Sequence, residues 1–225
     1  MLNLDIFNYN NNKHSGVLIK SLLFILLPLL IFASEYPHFS VNEFIKIEKK
    51  SGKIAKNRAV DYQQNIFKCR CYSKTKQLNV VNLYLNQLLP QYDDIMQKKE
   101  DYWASPKEFL IAGYGDCEDY VIIKYFSLLK LGFDEKKLFI TTVYEQYQGG
   151  YHMVLSYFKD KNKPPLILDN LSFKILDLKT RTDIKADYFI NSTGVFKIDK
   201  NYTLKKIAQH SKEFDELMRK IEKEP

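Results

Sequence analysis

Three cysteines, eight glycines, seven prolines and a single tryptophan are all that the 225 residues hold of these types, and each shortage excludes something. So few glycines and prolines rule out collagen-like and low-complexity chains. A hydrophobic share of 45% rules out a disordered chain, which lacks the apolar side chains to offset the entropy of ordering. Three cysteines are too few to staple a disulfide scaffold. No phosphate-cradling Walker loop, no Gly-x-Gly-x-x-Gly after a strand and no His-Glu-x-x-His is present. Gly-x-Ser-x-Gly is missing too, so a serine nucleophile has no elbow to sit on. The formal charge of +7 suits an acidic partner or a membrane surface. The lysines are scattered, however, and form no basic stripe such as a nucleic-acid binder presents.

Long apolar runs are also scarce, and the one that exists, residues 21–32, opens the chain. It is short for a bilayer span, which needs ~20 residues. It follows Lys13, His14 and Lys20 and ends at Ala33-Ser34, the order of a secretory signal. Residues 1–33 are therefore read as a signal peptide cleaved after Ala33, with a retained N-terminal anchor as the competing reading. Residues 34–225 form one domain, expected in the periplasm. Cys69-Arg70-Cys71 lacks further ligands nearby and reads as two ordinary side chains on or near a helix.

The remaining pattern is that of an α+β domain. Residues 41–100 read as mostly helical, with Leu78, Val81, Leu85, Leu88 and Leu89 at helical spacing. Ser105-Pro106 opens a short helix with Glu108 as its capping partner, and Gly113 and Gly115 end it. Residues 117–131 make the best helix in the chain. Val121, Ile122, Tyr125, Leu128 and Leu129 form its apolar face, Lys124, Ser127 and Lys130 mark the polar one, and Gly132 stops it. Segments 138–144, 151–158 and 165–168 are short, apolar and rich in β-branched and aromatic residues, the pattern of strands in a small antiparallel sheet. A closing helix is expected over about 203–223. The helical lobe then spans about 34–112 and the catalytic core about 113–198.

Three residues of this core can carry chemistry together. Cys117 opens the central helix, where free N–H groups and the helix dipole favour a thiolate nucleophile. His152 lies inside the second strand and Asp169 ends the third. In that order they can form a nucleophile, a base and an orienting carboxylate. The alternative for each is ordinary: a core histidine, and an Asp-Asn pair making a turn.

Several blocks occur in a specific order: Trp103-Ala-Ser-Pro106, Gly115-Asp-Cys-Glu-Asp-Tyr120, Lys124-Tyr-Phe126, Leu131-Gly132, His152-Met-Val-Leu155 and Leu168-Asp-Asn-Leu171. Arg181-Thr-Asp183 and Phe189-Ile-Asn191 follow. Over about residues 100–196 the sequence resembles the bacterial transglutaminase-like cysteine proteinase family, of the LapG type of periplasmic adhesin-releasing protease. It departs at Val195-Phe196, where such sequences often carry a tryptophan. The resemblance implies a papain/transglutaminase-like fold with Cys117 as nucleophile, His152 as base and Asp169 as orienter. It further implies a large surface adhesin as substrate, cut in its N-terminal region, and control by an inner-membrane cyclic-di-GMP receptor with a periplasmic domain.

Asp116, Glu118 and Asp119 crowd the nucleophile with negative charge, which opposes thiolate formation. Asp116 as N-cap and Asp119 as its capping-box partner would explain two of the three. A Ca²⁺ ion, which takes carboxylate and backbone oxygens, would account for the cluster, and the resemblance implies calcium dependence through these acids. Two further readings stay open on the residues alone. One is a non-catalytic module that grips a peptide or cell-wall strand, the other an amidase or transamidase using the same triad.

Overall fold

The computed structural model describes residues 35–90, 102–147 and 149–224. The apolar run at 21–32 and the cut after Ala33 lie outside the described residues. Helix α1, Val41–Cys69, starts at a capping box in which Glu43 N–H donates to the Ser40 hydroxyl and the Ser40 N–H donates to Glu43. Gly52, at φ 88°, breaks it into two helical segments. Beyond the break Ala55, Ala59, Tyr62, Ile66 and Cys69 recur at helical spacing and fill one side of the core. Cys69 is buried, Cys71 exposed, and both are free thiols.

Helix α2, Lys74–Leu85, buries Leu78, Val81 and Leu85. It ends earlier than its apolar spacing suggests. Leu89–Pro90 instead forms a two-residue strand, β1, parallel to β2 at Tyr114–Gly115. Residues 91–100, at the end of the expected helical stretch, lie outside the described residues. Between β1 and β2 comes α3, Pro106–Ala112, with the expected Ser105–Glu108 capping box and a left-handed Gly113 at its end. Arg58 of α1 donates to the Leu110 and Ile111 carbonyls at 2.8 and 2.9 Å. The last turn of α3 is thereby satisfied and the approach to residue 117 is pinned.

Helix α4, Cys117–Lys130, is the spine of the fold. It packs on strands β3 (Leu138–Glu145) and β4 (Tyr151–Tyr157) and, on its other sides, on α2 and α3. Lys74 donates to the Leu131 and Gly132 carbonyls, placing a cation at the negative end of the helix. The sequence reading of a polar face on this helix is corrected here, because Lys124, Ser127 and Lys130 are all buried. A helix enclosed on every side has no solvent face, and Ser127 and Lys130 find internal hydrogen-bond partners. Ser127 Oγ shares a 2.8 Å hydrogen bond with Tyr62, and Lys130 Nζ donates to the Pro37 carbonyl.

The sheet is larger than the three expected strands. Strands β5 (Leu166–Asp169), β6 (Ser172–Asp177), β7 (Ile184–Asn191), β8 (Gly194–Ile198) and β9 (Leu204–Ala208) complete an antiparallel order β6-β5-β4-β3-β7-β8-β9. Both faces are covered. Leu138, Ile140 and Leu155 join the main core with α4, while Phe139, Phe158 and Phe189 build a second apolar layer. The closing helix is also corrected: residues 204–208 pair with β8 as β9, and only Lys212–Ile221, α5, is helical. The expected α+β architecture, with a helical N-terminal part and a central helix on an antiparallel sheet, is the one observed.

Candidate active site

The register of the sheet brings His152 and Asp169 together. Leu155 on β4 stands opposite Leu168 on β5, so Asp169 comes opposite Val154 and shares a face with His152, two residues along. Asp169 Oδ1 accepts a 2.9 Å hydrogen bond from His152 Nε2 and a 3.0 Å bond from the Leu171 N–H. Oδ2 accepts a 2.9 Å bond from Arg181 Nη2. Burial alone would raise the pKa of this carboxyl. The His152 hydrogen bond and charge, the Leu171 N–H and Arg181 outweigh burial and hold it well below the usual carboxylate range. An ionised Asp169 can only accept, so Nε2 carries the imidazole proton and Nδ1 is left with its lone pair.

Cys117 begins α4 and is half-buried. Its thiol donates to Glu118 Oε2 at 3.1 Å, and the Met153 backbone, adjacent to His152, hydrogen-bonds the sulfur. Burial pushes the thiol up, and the Glu118 carboxylate pushes it further, against which the Met153 contact is a smaller opposing effect. The cysteine is therefore a neutral thiol in this geometry, turned to Glu118.

Of the three acids expected to surround the nucleophile, Asp116 does occupy the N-cap position of α4, but its side chain makes no capping hydrogen bond. Asp119 does not complete a capping box either. Its Oδ1 accepts the Ala104 N–H at 2.8 Å, tying the segment before α3 to the first turn of α4. A Cβ on Gly115 would run into the Asp119 carboxylate and stand 2.8 Å from the Phe109 ring, so glycine is the residue that lets these pack. Glu118 is buried, and among the described residues it forms no ion pair, with only the neutral thiol as hydrogen-bond partner. That is a donor a hard cation suits, and oxygen-only carboxylate chemistry at Asp116 and Glu118 fits Ca²⁺. As placed, the acids do not close on one point: among the described residues no three His, Cys, Asp or Glu side chains are grouped to hold a metal ion.

Two residues near Asp169 were not assigned a role by the spacing argument. Arg181 lies twelve positions downstream in the turn before β7 and binds Asp169 directly. Lys124, two turns along α4 from Cys117 on the same helix face, is fully buried, has no hydrogen-bond partner and is drawn down to about 7 by burial, with Asp169 opposing.

Comparisons with known proteins place the sequence in a family. Residues 44–189 match the Peptidase_C93 model, bacterial transglutaminase-like cysteine proteinase (BTLCP). Legionella pneumophila LapG in its calcium-bound form is 33% identical, with a TM-score of 0.67, over 81% of this chain and 99% of that one. EGTA-treated L. pneumophila LapG is 32% identical, with a TM-score of 0.68, over 79% of this chain and 97% of that one. A third L. pneumophila LapG structure is 33% identical, with a TM-score of 0.69, over 82% and 97%. A search of curated proteins finds no match. With a buried His152–Asp169 pair, a cysteine at the head of the central helix and a family match across most of its length, the chain belongs to the bacterial transglutaminase-like cysteine proteinase family.

Proposed function

We propose that this cysteine proteinase is an exported, calcium-dependent endopeptidase that cuts the N-terminal region of a large surface adhesin and so governs release of the cell from a surface. The observation that carries the catalytic part is the His152–Asp169 hydrogen bond on a fully buried, anionic Asp169. It leaves Nδ1 as the nitrogen that takes the Cys117 proton. In the forward step Sγ attacks the peptide carbonyl carbon, the proton passes to His152, and a C–S bond forms as the carbonyl π pair moves to oxygen. The Cys117 N–H, free at the helix start, faces the developing oxyanion. Collapse expels the amine, which takes the proton from His152, and water attacks the thioester with His152 again as base, freeing the carboxylate product and the thiol.

Asp116 and Glu118 would hold the calcium ion, with Asp119 contributing less because one of its oxygens already serves Ala104. When bound, the ion neutralises carboxylate charge beside the nucleophile. Glu118, which now accepts from the Cys117 thiol, would then have a cation as partner in place of that thiol. That L. pneumophila LapG has been obtained both calcium-bound and EGTA-treated supports this reading. The adhesin, the periplasmic location and control by an inner-membrane cyclic-di-GMP receptor rest on the family resemblance together with the apolar segment 21–32. Mass spectrometry of adhesin fragments released by the wild-type protein and by Cys117→Ala tests the whole reading. A defined N-terminal cut made only by the wild type supports it, and an identical cut by both proteins overturns it.

A further inference from the structure

Asp169 is enclosed from several elements at once. His152 reaches it from β4, the Leu171 N–H from the β5–β6 turn, and Arg181 from the turn before β7. Asn86 of α2 fixes the backbone of the same residue by donating to its carbonyl at 2.7 Å. Among these groups Arg181 alone binds the second carboxylate oxygen, and it is itself held. Its Nε donates to both oxygens of Asp183 at 2.8 and 3.1 Å, and Nη2 donates to Asp183 Oδ2 at 2.6 Å and to Asp169 Oδ2 at 2.9 Å. The guanidinium is a rigid plane clamped by one carboxylate, and its Nη2 also donates to the other.

That arrangement has a consequence for the imidazole. A buried Asp–His pair has two forms of equal total charge when no third group intervenes. In one, an anionic carboxylate accepts from Nε2–H of an imidazolium, and release of its Nδ1 proton gives the neutral ring with Nδ1 open. In the other, a protonated carboxyl donates to Nε2 and the ring proton sits on Nδ1, where it blocks the nitrogen that must receive the thiol proton. A donor fixed on Oδ2 favours the carboxylate and fixes which oxygen is turned to His152. We propose that Arg181, anchored by Asp183, is a positioning residue of the proteolytic site, holding Asp169 so that His152 keeps its proton on Nε2 and leaves Nδ1 open. The proposal rests on the reading of Cys117, His152 and Asp169 as the catalytic triad.

The test reads the tautomer and the turnover separately. The full chain is labelled with ¹⁵N-histidine, and the signal of His152 is assigned among the four histidines by its loss in His152→Gln. Wild type, Arg181→Gln, Arg181→Lys and Asp183→Asn are compared at about pH 8. The expected wild-type spectrum has a protonated Nε2 and a bare Nδ1. Arg181→Gln shifts His152 toward the Nδ1–H form and lowers adhesin cleavage about 10-fold or more, about 1.4 kcal/mol of barrier being worth a factor of ten. Arg181→Lys restores charge without the planar fork and lies between the two, and Asp183→Asn, which frees the guanidinium, moves in the same direction as Arg181→Gln but less far. Thermal melts identify any variant that has lost its fold, in which case Arg181→Lys and Asp183→Asn decide. Folded variants with unchanged nitrogen shifts and unchanged turnover overturn the proposal. If Cys117→Ala still cleaves, the triad reading fails, while the nitrogen shifts report on Arg181 alone.

Discussion

The thiol of Cys117 donates to the carboxylate of its own chain neighbour, Glu118, at 3.1 Å. The residue proposed as nucleophile is thus stabilised in its unreactive, protonated form by the acid proposed as a calcium ligand. Burial adds to that effect, and the helix start opposes it.

Removing that charge should free the thiol. Glu118→Gln keeps the size and a hydrogen-bonding oxygen but lacks the negative charge. Iodoacetamide labelling of Cys117 in chelator, followed by peptide mass spectrometry, should then be several-fold faster than in the wild type. The exposed Cys71 serves as an internal reference whose rate stays constant. Calcium should accelerate labelling of the wild type and leave Glu118→Gln unaffected. Equal rates at Cys117 in both proteins would remove Glu118 from the account.

Calcium should also be visible in stability. Chelation should stop proteolysis, and Ca²⁺ should restore it better than Mg²⁺, which is smaller and dehydrates reluctantly. Melting of the wild type should rise with calcium, as for any ligand that binds only the folded state. Asp116→Ala and Glu118→Ala should lose that rise. Because the Asp116 side chain caps nothing, Asp116→Ala should cost less without calcium than the ~0.5–2 kcal/mol of a lost N-cap. A calorimetric titration with no calcium heat, together with full activity in chelator, would exclude the ion.

Lys124 makes a prediction of opposite sign to most buried ionic groups. Burial lowers its ammonium from 10.5 to about 7, so between those values the unfolded chain binds more protons than the folded one. Stability from this group therefore rises with pH across that window and falls again toward neutrality. The slope is at most about 1.4 kcal/mol per pH unit. Urea unfolding at several pH values should show Lys124→Met gaining most on the wild type near neutral pH, with the gain shrinking toward pH 10.5. Parallel curves would mean that the ammonium is compensated by a partner.

Asp169 titrates the other way around. Its folded value lies below the ordinary aspartate value of 3.8, so the stability it contributes is present above that pH and is lost as pH falls through the lower folded value. Asp169→Asn should remove this acid-side component and leave the stability curve flatter below about pH 4. Its turnover should be reduced but measurable, since orientation of His152 is weakened rather than abolished. Undiminished turnover would make Asp169 a structural residue only.

Much of the site was legible because its signals are local. The Ser105–Glu108 capping box, the left-handed Gly113 and the helix head at Cys117 each depend on residues within a few positions. His152 within a strand and Asp169 at a strand end follow from alternation of small apolar segments. What was not legible depends on partners far along the chain. Lys124, Ser127 and Lys130 look like a solvent face because a charge carries no mark of burial, and their enclosure is decided by α1, α2 and the sheet. The segment 204–208 has too few residues to separate a helical from an extended period, and its pairing with β8 settles the matter. Arg181 binds Asp169 across twelve residues and two turns, which no spacing rule anticipates.

The central claim is that Cys117, worked on by His152, breaks peptide bonds. The most direct measurement is cleavage of the adhesin N-terminal region, in calcium, by wild type, Cys117→Ala and His152→Ala of equal thermal stability. The account predicts a single defined cut by the wild type and none by either variant, since the loss of the nucleophile or of its base leaves no route to the acyl-enzyme. The same cut at the same rate in all three would contradict it.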